Sequence, residues 1–143
     1  MIDSHCHLAD EVFAPELDQV VRRAKDAGVD RVLTILAAGD EQEAAQAERL
    51  IGLWPEARVA VGVHPHAAHT FAEAPERAAE TVRAQIARTA YARGVGEIGL
   101  DYHYDFSPRE VQQAVFRAQL ALAQARGLAV AIHTREADAD TLG

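Results

Sequence analysis

Short apolar runs alternate along the chain with segments in which apolar residues recur at every third or fourth position. Short apolar runs favour buried strands, whereas the wider spacing is typical of helices with one apolar face. The pattern predicts strands over residues 2–8, 31–37, 58–63, 94–100 and 128–134. It predicts helices over residues 17–27, 40–54, 75–90 and 107–127. Strand and helix therefore alternate from the first residue onward.

Two of the predicted helices begin with recognisable capping residues. Asp40 with Glu43 three positions later has the pattern of a capping box, in which both side chains pair with backbone N–H groups at the helix start. Ser107, Pro108 and Glu110 predict an N-cap, a proline at the first helical position and an acidic residue at the third. These residues support the predicted helix boundaries.

The connections between the predicted strands are long enough for each strand to return parallel to the one before it. An α/β fold with a parallel sheet follows, as a barrel or as an open sheet. Residues 135–142 have the pattern of the first turns of a fifth helix. A complete (β/α)8 barrel of the TIM type takes about 250 residues. Five strands and four helices therefore fit the front portion of such a barrel, and we expect residues 1–143 to be a single domain with this truncated form.

The composition narrows the class of protein. Residues of hydrophobic type make up 49% of the chain, which is enough for one sizeable core. A single cysteine, Cys6, excludes an intramolecular disulfide, and the first residues lack the basic and apolar regions of a signal peptide. Charged or polar residues interrupt every apolar run before it reaches the roughly 18 residues of a membrane span. We therefore expect a soluble, cytoplasmic protein without a membrane partner.

The net charge limits how the chain can bind nucleic acid. Fourteen basic and 22 acidic residues give a net charge of −8. Such a charge argues against sequence-independent binding along a phosphate backbone. Bound divalent cations can nevertheless reverse the field inside one cleft. The charge therefore constrains the mode of binding more than it constrains the substrate.

Imidazole and carboxylate groups fall near the ends of three predicted strands. His5 and His7 lie two positions apart, so they face one side of the first strand while Cys6 faces the other. Glu97 lies in an apolar strand, where a carboxylate is costly unless it is paired or bound to a metal. His133 lies near the end of the fifth strand. Core histidines and a structural salt bridge would explain each residue singly, but together they predict a site for a divalent cation.

Four segments resemble, in order and spacing, the signature segments of the TatD-type deoxyribonucleases. They are Asp3-Ser4-His5-Cys6-His7-Leu8, Gly62-Val63-His64-Pro65-His66, Gly96-Glu97-Ile98-Gly99-Leu100-Asp101-Tyr102 and Ile132-His133-Thr134-Arg135. The resemblance covers essentially the whole chain. It implies a (β/α)8 barrel of the amidohydrolase type, a pair of divalent metal ions such as Mg²⁺, Mn²⁺ or Zn²⁺, and hydrolysis of phosphodiester bonds in a DNA substrate.

The resemblance also implies roles for individual residues. His5 and His7 would hold one ion, His133 would bind the second, and Glu97 would bridge the two as a catalytic residue. The family draws a further histidine and an aspartate from later strands, which these 143 residues do not include. A polypeptide of these residues alone is therefore expected to have impaired activity.

Residues outside the ligand set are candidates for substrate contact. His64 is predicted to contact a phosphate, although Pro65 beside it also fits a plain loop turn. Arg135 is predicted either to bind a phosphate bidentately or to pair with Asp138. The loop over residues 101–105 is predicted to line the mouth of the site.

Within that loop, Tyr102 and Tyr104 alternate and could stack a nucleobase. An exposed polar loop without a binding role is the alternative for these residues.

Two other functions remain open at this level. A metal-dependent enzyme that cleaves a C–N bond also fits histidines on the first strand, but such enzymes typically carry a carboxylated lysine where this chain has Glu97. The chain contains one lysine, Lys25, far from that position. An inactive metal-binding remnant is the second alternative. The exposed edges of the first and fifth strands also predict self-association.

Overall fold

A computed structural model describes residues 1–104 and 106–143, and its elements follow the predicted order. The strands are β1 (Ile2–Cys6), β2 (Arg31–Ala37), β3 (Arg58–Gly62), β4 (Ala92–Asp101) and β5 (Ala129–Arg135). The α-helices are α1 (Leu17–Asp26), α2 (Glu41–Leu53), α3 (Glu76–Arg88), α4 (Arg109–Arg126) and α5 (Asp138–Leu142). Short 3-10 helices cover Glu11–Phe13 and Pro65–Phe71. Across the described residues, no helix is both long and apolar enough to cross a membrane.

The five strands form one sheet in which every neighbouring pair is parallel. The order in the sheet, β1-β2-β3-β4-β5, is the order in the chain. A helix follows each strand before the next one pairs, which is the succession found in (β/α)8 barrels. The predicted α/β class is thus confirmed, and the sheet contains five strands of such a barrel.

Apolar side chains pack between the sheet and the helices in two groups. The larger group joins β3 and β4 to α3 and α4 and includes Val61, Ile98 and Phe116. The smaller group joins α1 and α2 to β2 and includes Leu17 and Trp54. The central strands are therefore firmly held, and their ends offer a rigid base for polar side chains.

The two outer strands are much more exposed than the central ones. Each residue of β3 from Val59 to Gly62 is buried, whereas Ile2 on β1 is 66% exposed and Ile132 on β5 is 46% exposed. In the described residues, β1 pairs with β2 alone and β5 with β4 alone. Both edges of the sheet thus present apolar side chains and backbone groups to solvent.

The structure confirms one of the two hydrogen bonds that the capping box predicts at the start of the second helix. The Asp40 carboxylate accepts the backbone N–H groups of Gln42 and Glu43, both at 2.9 Å. The Glu43 carboxylate accepts the N–H of Ala37 at 2.6 Å, at the end of β2, rather than that of Asp40. The glutamate therefore ties the helix to the strand before it. Burial raises the pKa of this carboxyl.

The predicted N-cap of the fourth helix is wrong. The helix begins at Arg109, and no side-chain hydrogen bond caps it. The Ser107 hydroxyl donates instead to the carbonyl of His66 at 3.1 Å and accepts the N–H of His69 at 2.9 Å. Ser107 therefore fastens the loop before α4 to the 3-10 helix after β3.

Candidate metal centre

The candidate site lies at the carboxyl ends of the strands, where parallel barrels place their chemistry. It consists of imidazole and carboxylate side chains from four parts of the chain: His5, His7, His64, His66, Glu97, Asp101 and His133. All four residues predicted as metal ligands belong to this set. Their roles as ligands stay predictions, while their convergence is a property of the fold.

The first group consists of His5, His7 and Glu97. Each offers a ligand atom, and these atoms lie within 4.8 Å of one another. Within this group, His5 Nε2 lies 3.2 Å from Glu97 Oε2. Cys6 packs against the smaller apolar group, and its thiol donates to the Leu33 carbonyl at 3.5 Å. Burial raises the pKa of the Cys6 thiol, which is in keeping with its predicted packing role.

The second group consists of His64, His66 and His133, whose ligand atoms also lie within 4.8 Å of one another. His64 Nε2 lies 3.3 Å from His133 Nδ1. The two residues have different predicted roles: His133 is a predicted metal ligand, and His64 is a predicted substrate contact. The structure places the two imidazoles in direct contact.

Glu97 lies between the two groups. Its Oε2 faces His5 at 3.2 Å, and its Oε1 faces His133 Nδ1 at 2.9 Å. The close approach of β4 to β5 makes this possible, because Gly99 has a φ of +149° and a Cβ there would lie 1.9 Å from the His133 carbonyl oxygen. The two oxygens of one carboxylate therefore meet histidines from different strands.

Asp101 is the site residue that the sequence left in the loop. Its side chain is fully buried, and its Oδ2 accepts His66 Nε2 at 2.7 Å and His133 Nε2 at 3.0 Å. Its Oδ1 accepts the N–H groups of His103 and Tyr104. Burial acts to raise the pKa of Asp101, but these hydrogen bonds outweigh it and hold the pKa well below the ordinary value. Asp101 is therefore an anion that orients two imidazoles.

The hydrogen-bonding pattern of the second group suits a cation. His64 Nδ1 accepts the N–H of His66 at 3.2 Å, so a neutral His64 carries its proton on Nε2, which faces His133. Burial, and then the nearby His133 and His66, lower the pKa of His64 to about 4. A neutral His133 that donates from Nε2 to Asp101 turns the lone pair of its Nδ1 toward Glu97 Oε1, at 2.9 Å. Both atoms could coordinate a cation placed between them. Imidazole nitrogen and carboxylate oxygen are ligands that suit divalent metals.

Two buried glutamines of α4 hold the strand ends that carry these side chains. The Gln119 amide accepts the N–H of Val63 at 2.8 Å and donates to its carbonyl at 3.1 Å, one residue before His64. The Gln112 amide makes the same pair of bonds with Asp101, at 2.8 and 3.0 Å. Each glutamine amide thus bonds to a backbone N–H and carbonyl in the way that a neighbouring strand would.

Arg135 ends β5 beside the second group. Its guanidinium lies over the ring of Tyr104, 4.8 Å from the centroid. The alternative partner, Asp138, accepts the hydroxyl of Thr134 at 3.1 Å. The arginine is therefore directed toward the loop after β4.

The two tyrosines of that loop do not share a surface. Tyr102 donates to Asp140 at 2.7 Å, and the Arg109 guanidinium lies 4.3 Å from its ring centroid. The two rings therefore have different surroundings, and their stacking on a nucleobase stays a prediction. Asp105, which belonged to the predicted mouth of the site, lies outside them.

Comparison with known proteins gives a consistent result. The family model described as "TatD related DNase" matches residues 2–143. The chain is 33% identical over 142 residues to the uncharacterized metal-dependent hydrolase YabD of Bacillus subtilis, covering 99% of this chain and 53% of that protein. It is 39% identical over 139 residues to the 3'-5' ssDNA/RNA exonuclease TatD of Yersinia pseudotuberculosis, covering 96% and 51%.

Solved structures agree in fold. The chain matches YJJV, a TatD homolog from Escherichia coli K12, with a TM-score of 0.83 at 27% identity, covering 99% of this chain and 53% of that one. A TatD family hydrolase from Entamoeba histolytica matches with a TM-score of 0.82 at 20% identity, covering 99% and 52%, which shows the fold alone. The chain spans about half the length of the curated relatives it matches.

Proposed function

Since the chain belongs to the family of TatD-related DNases, we propose that it carries part of the active site of a metal-dependent hydrolase that cleaves phosphodiester bonds in DNA. The observation that supports this most directly is the position of Glu97, whose two oxygens face His5 and His133 at 3.2 and 2.9 Å. A carboxylate in that position suits a bridge between two cations. Relatives named as exonucleases of single-stranded DNA and RNA are consistent with the substrate class.

We propose that two divalent ions, Mg²⁺, Mn²⁺ or Zn²⁺, occupy the site. His5 and His7 would hold one, His133 would hold the other, and Glu97 would be shared. When bound, such ions polarise a phosphate and lower the pKa of a bound water toward about 7. In each group the possible donor atoms lie within 4.8 Å of one another.

Neighbouring residues orient the proposed metal ligands or would contact the substrate. Asp101 holds His133 by its Nε2, which turns Nδ1 toward Glu97 and fixes the ring orientation. Arg135 supplies a permanent positive charge beside the site and would bind a phosphate oxygen. His64, neutral because of its lowered pKa, would contribute a hydrogen bond rather than a charge.

Cleavage of a C–N bond is not favoured. The family match and the named relatives concern nucleases and hydrolases. The carboxylate between the two histidine groups belongs to Glu97, and the one lysine, Lys25, pairs with the Leu53 carbonyl far from the site.

Metal titration tests the proposal on the 143-residue chain itself. We expect isothermal titration calorimetry to show weak binding of Mn²⁺ or Zn²⁺ that Glu97→Ala abolishes. Glu56→Ala, which removes an exposed carboxylate from the turn before β3, is the matched control and should bind like the parent chain. Binding that survives Glu97→Ala would contradict the bridging role.

Hydrolysis is the second measurement. A 3'-labelled single-stranded DNA incubated with chain and Mn²⁺ should be cut little or not at all, since the family's later histidine and aspartate are outside these residues. Any cutting should stop on addition of EDTA and in Glu97→Ala. Chelator-resistant cutting would move the assignment to a metal-independent enzyme.

A further inference from the structure

Two exposed aromatic rings stand beside the metal centre without a place in the core. Tyr104 and Phe106 stack with their centroids 5.3 Å apart and their planes 16° from parallel. Tyr104 is 39% exposed and Phe106 is 59% exposed. Neither ring belongs to the two groups of packed apolar side chains. Burial of apolar surface therefore does not explain this aromatic pair.

The aromatic pair is joined to the site through His66. That imidazole makes T-shaped contacts with Phe106 and Tyr104, with centroid distances of 4.8 and 5.6 Å. The same imidazole contacts Asp101 at 2.7 Å, and Asp101 contacts His133. Two side chains, His66 and Asp101, thus link the aromatic pair to the candidate metal ligand His133.

One positively charged side chain lies against the aromatic pair. The Arg135 guanidinium lies 4.8 Å from the Tyr104 centroid, in a chain whose net charge is −8. Affinity for nucleic acid that rests on backbone phosphates alone is disfavoured for such a chain. A contact with the base itself, which does not depend on net charge, would supply what the phosphates do not.

We propose that the aromatic pair is a stacking platform for one unpaired nucleobase, with Phe106 as the more open ring and Tyr104 behind it. This inference rests on the proposed function, because it names how that site recognises its substrate. The faces of a base inside a duplex are covered by its neighbours, so a platform of this kind selects a single strand or a frayed end. Arg135 would meet the phosphate next to the stacked base.

Binding of matched oligonucleotides tests the platform. Fluorescence anisotropy is measured in EDTA with an end-labelled single strand, the same backbone with abasic sites, and the duplex. We expect the parent chain to bind the base-bearing strand about 5- to 150-fold more tightly than the abasic strand. Phe106→Ala should remove most of this difference and Tyr104→Ala part of it.

Three further variants separate stacking from folding and from general apolar contact. Phe106→Trp should keep the preference for bases, and Phe106→Leu, which keeps apolar bulk without a ring, should lose it. Ile2→Ala removes a similarly exposed side chain at the start of β1 and should change nothing. Circular dichroism checks that each variant is folded.

The outcomes distinguish this inference from the proposed function. Equal binding of base-bearing and abasic strands, no binding of either, or a preference that survives Phe106→Ala would overturn the platform. Metal binding that depends on Glu97 would in each of those cases leave the hydrolase proposal standing. A base preference that depends on Phe106, together with metal binding indifferent to Glu97→Ala, would keep the platform and refute the metal centre.

Discussion

Asp101 shows which properties of a single residue can be predicted from its spacing along a strand and which cannot. It lies four positions after Glu97, and residues an even number apart face the same side of a strand. The fourth strand was predicted to end at residue 100, whereas β4 runs to Asp101. That one-residue difference placed a central carboxylate in a loop. Its pairing with His66 depends on the 3-10 helix after β3, whose orientation no local pattern specifies.

His64 gives the folded chain a measurable pH dependence. Its pKa is about 4 instead of 6.5, chiefly because the ring is buried, so the unfolded chain takes up this proton first as the pH falls. Stability is therefore complete above about pH 6.5 and declines toward pH 4. His64→Asn keeps a side-chain acceptor for the cap but does not titrate. Its free energy of unfolding should therefore fall less over this pH range, by a difference on the order of 1–2 kcal/mol.

Urea unfolding in EDTA, followed by circular dichroism between about pH 7 and pH 4, measures this difference. His69→Asn, at an exposed position, is the control and should behave like the parent chain. Parallel loss of stability in the parent and in His64→Asn would show that the imidazole is freely protonated in the fold.

At the scale of elements, local pairs were predictable and distant pairs were not. Asp40 caps its helix as predicted, because donor and acceptor are three residues apart and any helix that starts there brings them together. Ser107 is also of a residue type that commonly caps helices, but its hydroxyl bonds to His66 and His69. Which partner prevails depends on the packing of α4 against the 3-10 helix, which becomes known only with the fold.

The buried glutamines of α4 should be important for stability. Gln119→Leu would leave the N–H and carbonyl of Val63 without their partners in a closed interior. We expect a loss of about 1–3 kcal/mol in the free energy of unfolding. Gln124→Leu, on the exposed side of the same helix, is the matched control. Equal urea midpoints for the two variants would mean that water takes the place of the Gln119 amide.

The contact of β4 with β5 at Gly99 should tolerate no side chain. With a φ of +149° and the His133 carbonyl 1.9 Å from a Cβ, Gly99→Ala forces the strands apart. We expect destabilisation of roughly 3 kcal/mol or more. Gly52→Ala, in α2 with nothing within 4 Å of its Cβ, should instead stabilise the chain by about 0.5–1 kcal/mol. Thermal melts of both variants make the comparison, and a neutral Gly99→Ala would show that the strands can separate freely.

At the scale of the whole molecule, the succession of strands was predictable because each one is a distinct apolar run. The parallel sheet in chain order follows from the length of the connections. Which histidines would meet was not predictable, since His64 and His133 are 69 positions apart and follow or lie on strands that flank β4 on opposite sides. The sequence pattern therefore predicts the order of the strands and most of the site residues, but not which of those residues contact one another.

The exposed edges should make the 143-residue chain associate with itself. Ile132 on β5 is 46% exposed beside unpaired backbone groups, and such edges template further strand pairing. We expect light scattering over a concentration series to show a dimer or larger species. Ile132→Lys should shift the distribution toward monomer, and Val12→Lys, away from the strands, should not. A monomeric parent chain with a sharp melt at every concentration would refute this expectation.

The strand order has a consequence for how the chain matures during synthesis. Because each strand pairs with the one made just before it, the sheet can grow one strand at a time behind the ribosome, through pairings between residues 25 to 35 positions apart. The metal centre cannot grow in this way. His5 lies on the first strand and His133 on the fifth, with Glu97 between them. Metal ions would therefore enter a sheet that has already formed, and they would complete folding rather than nucleate it.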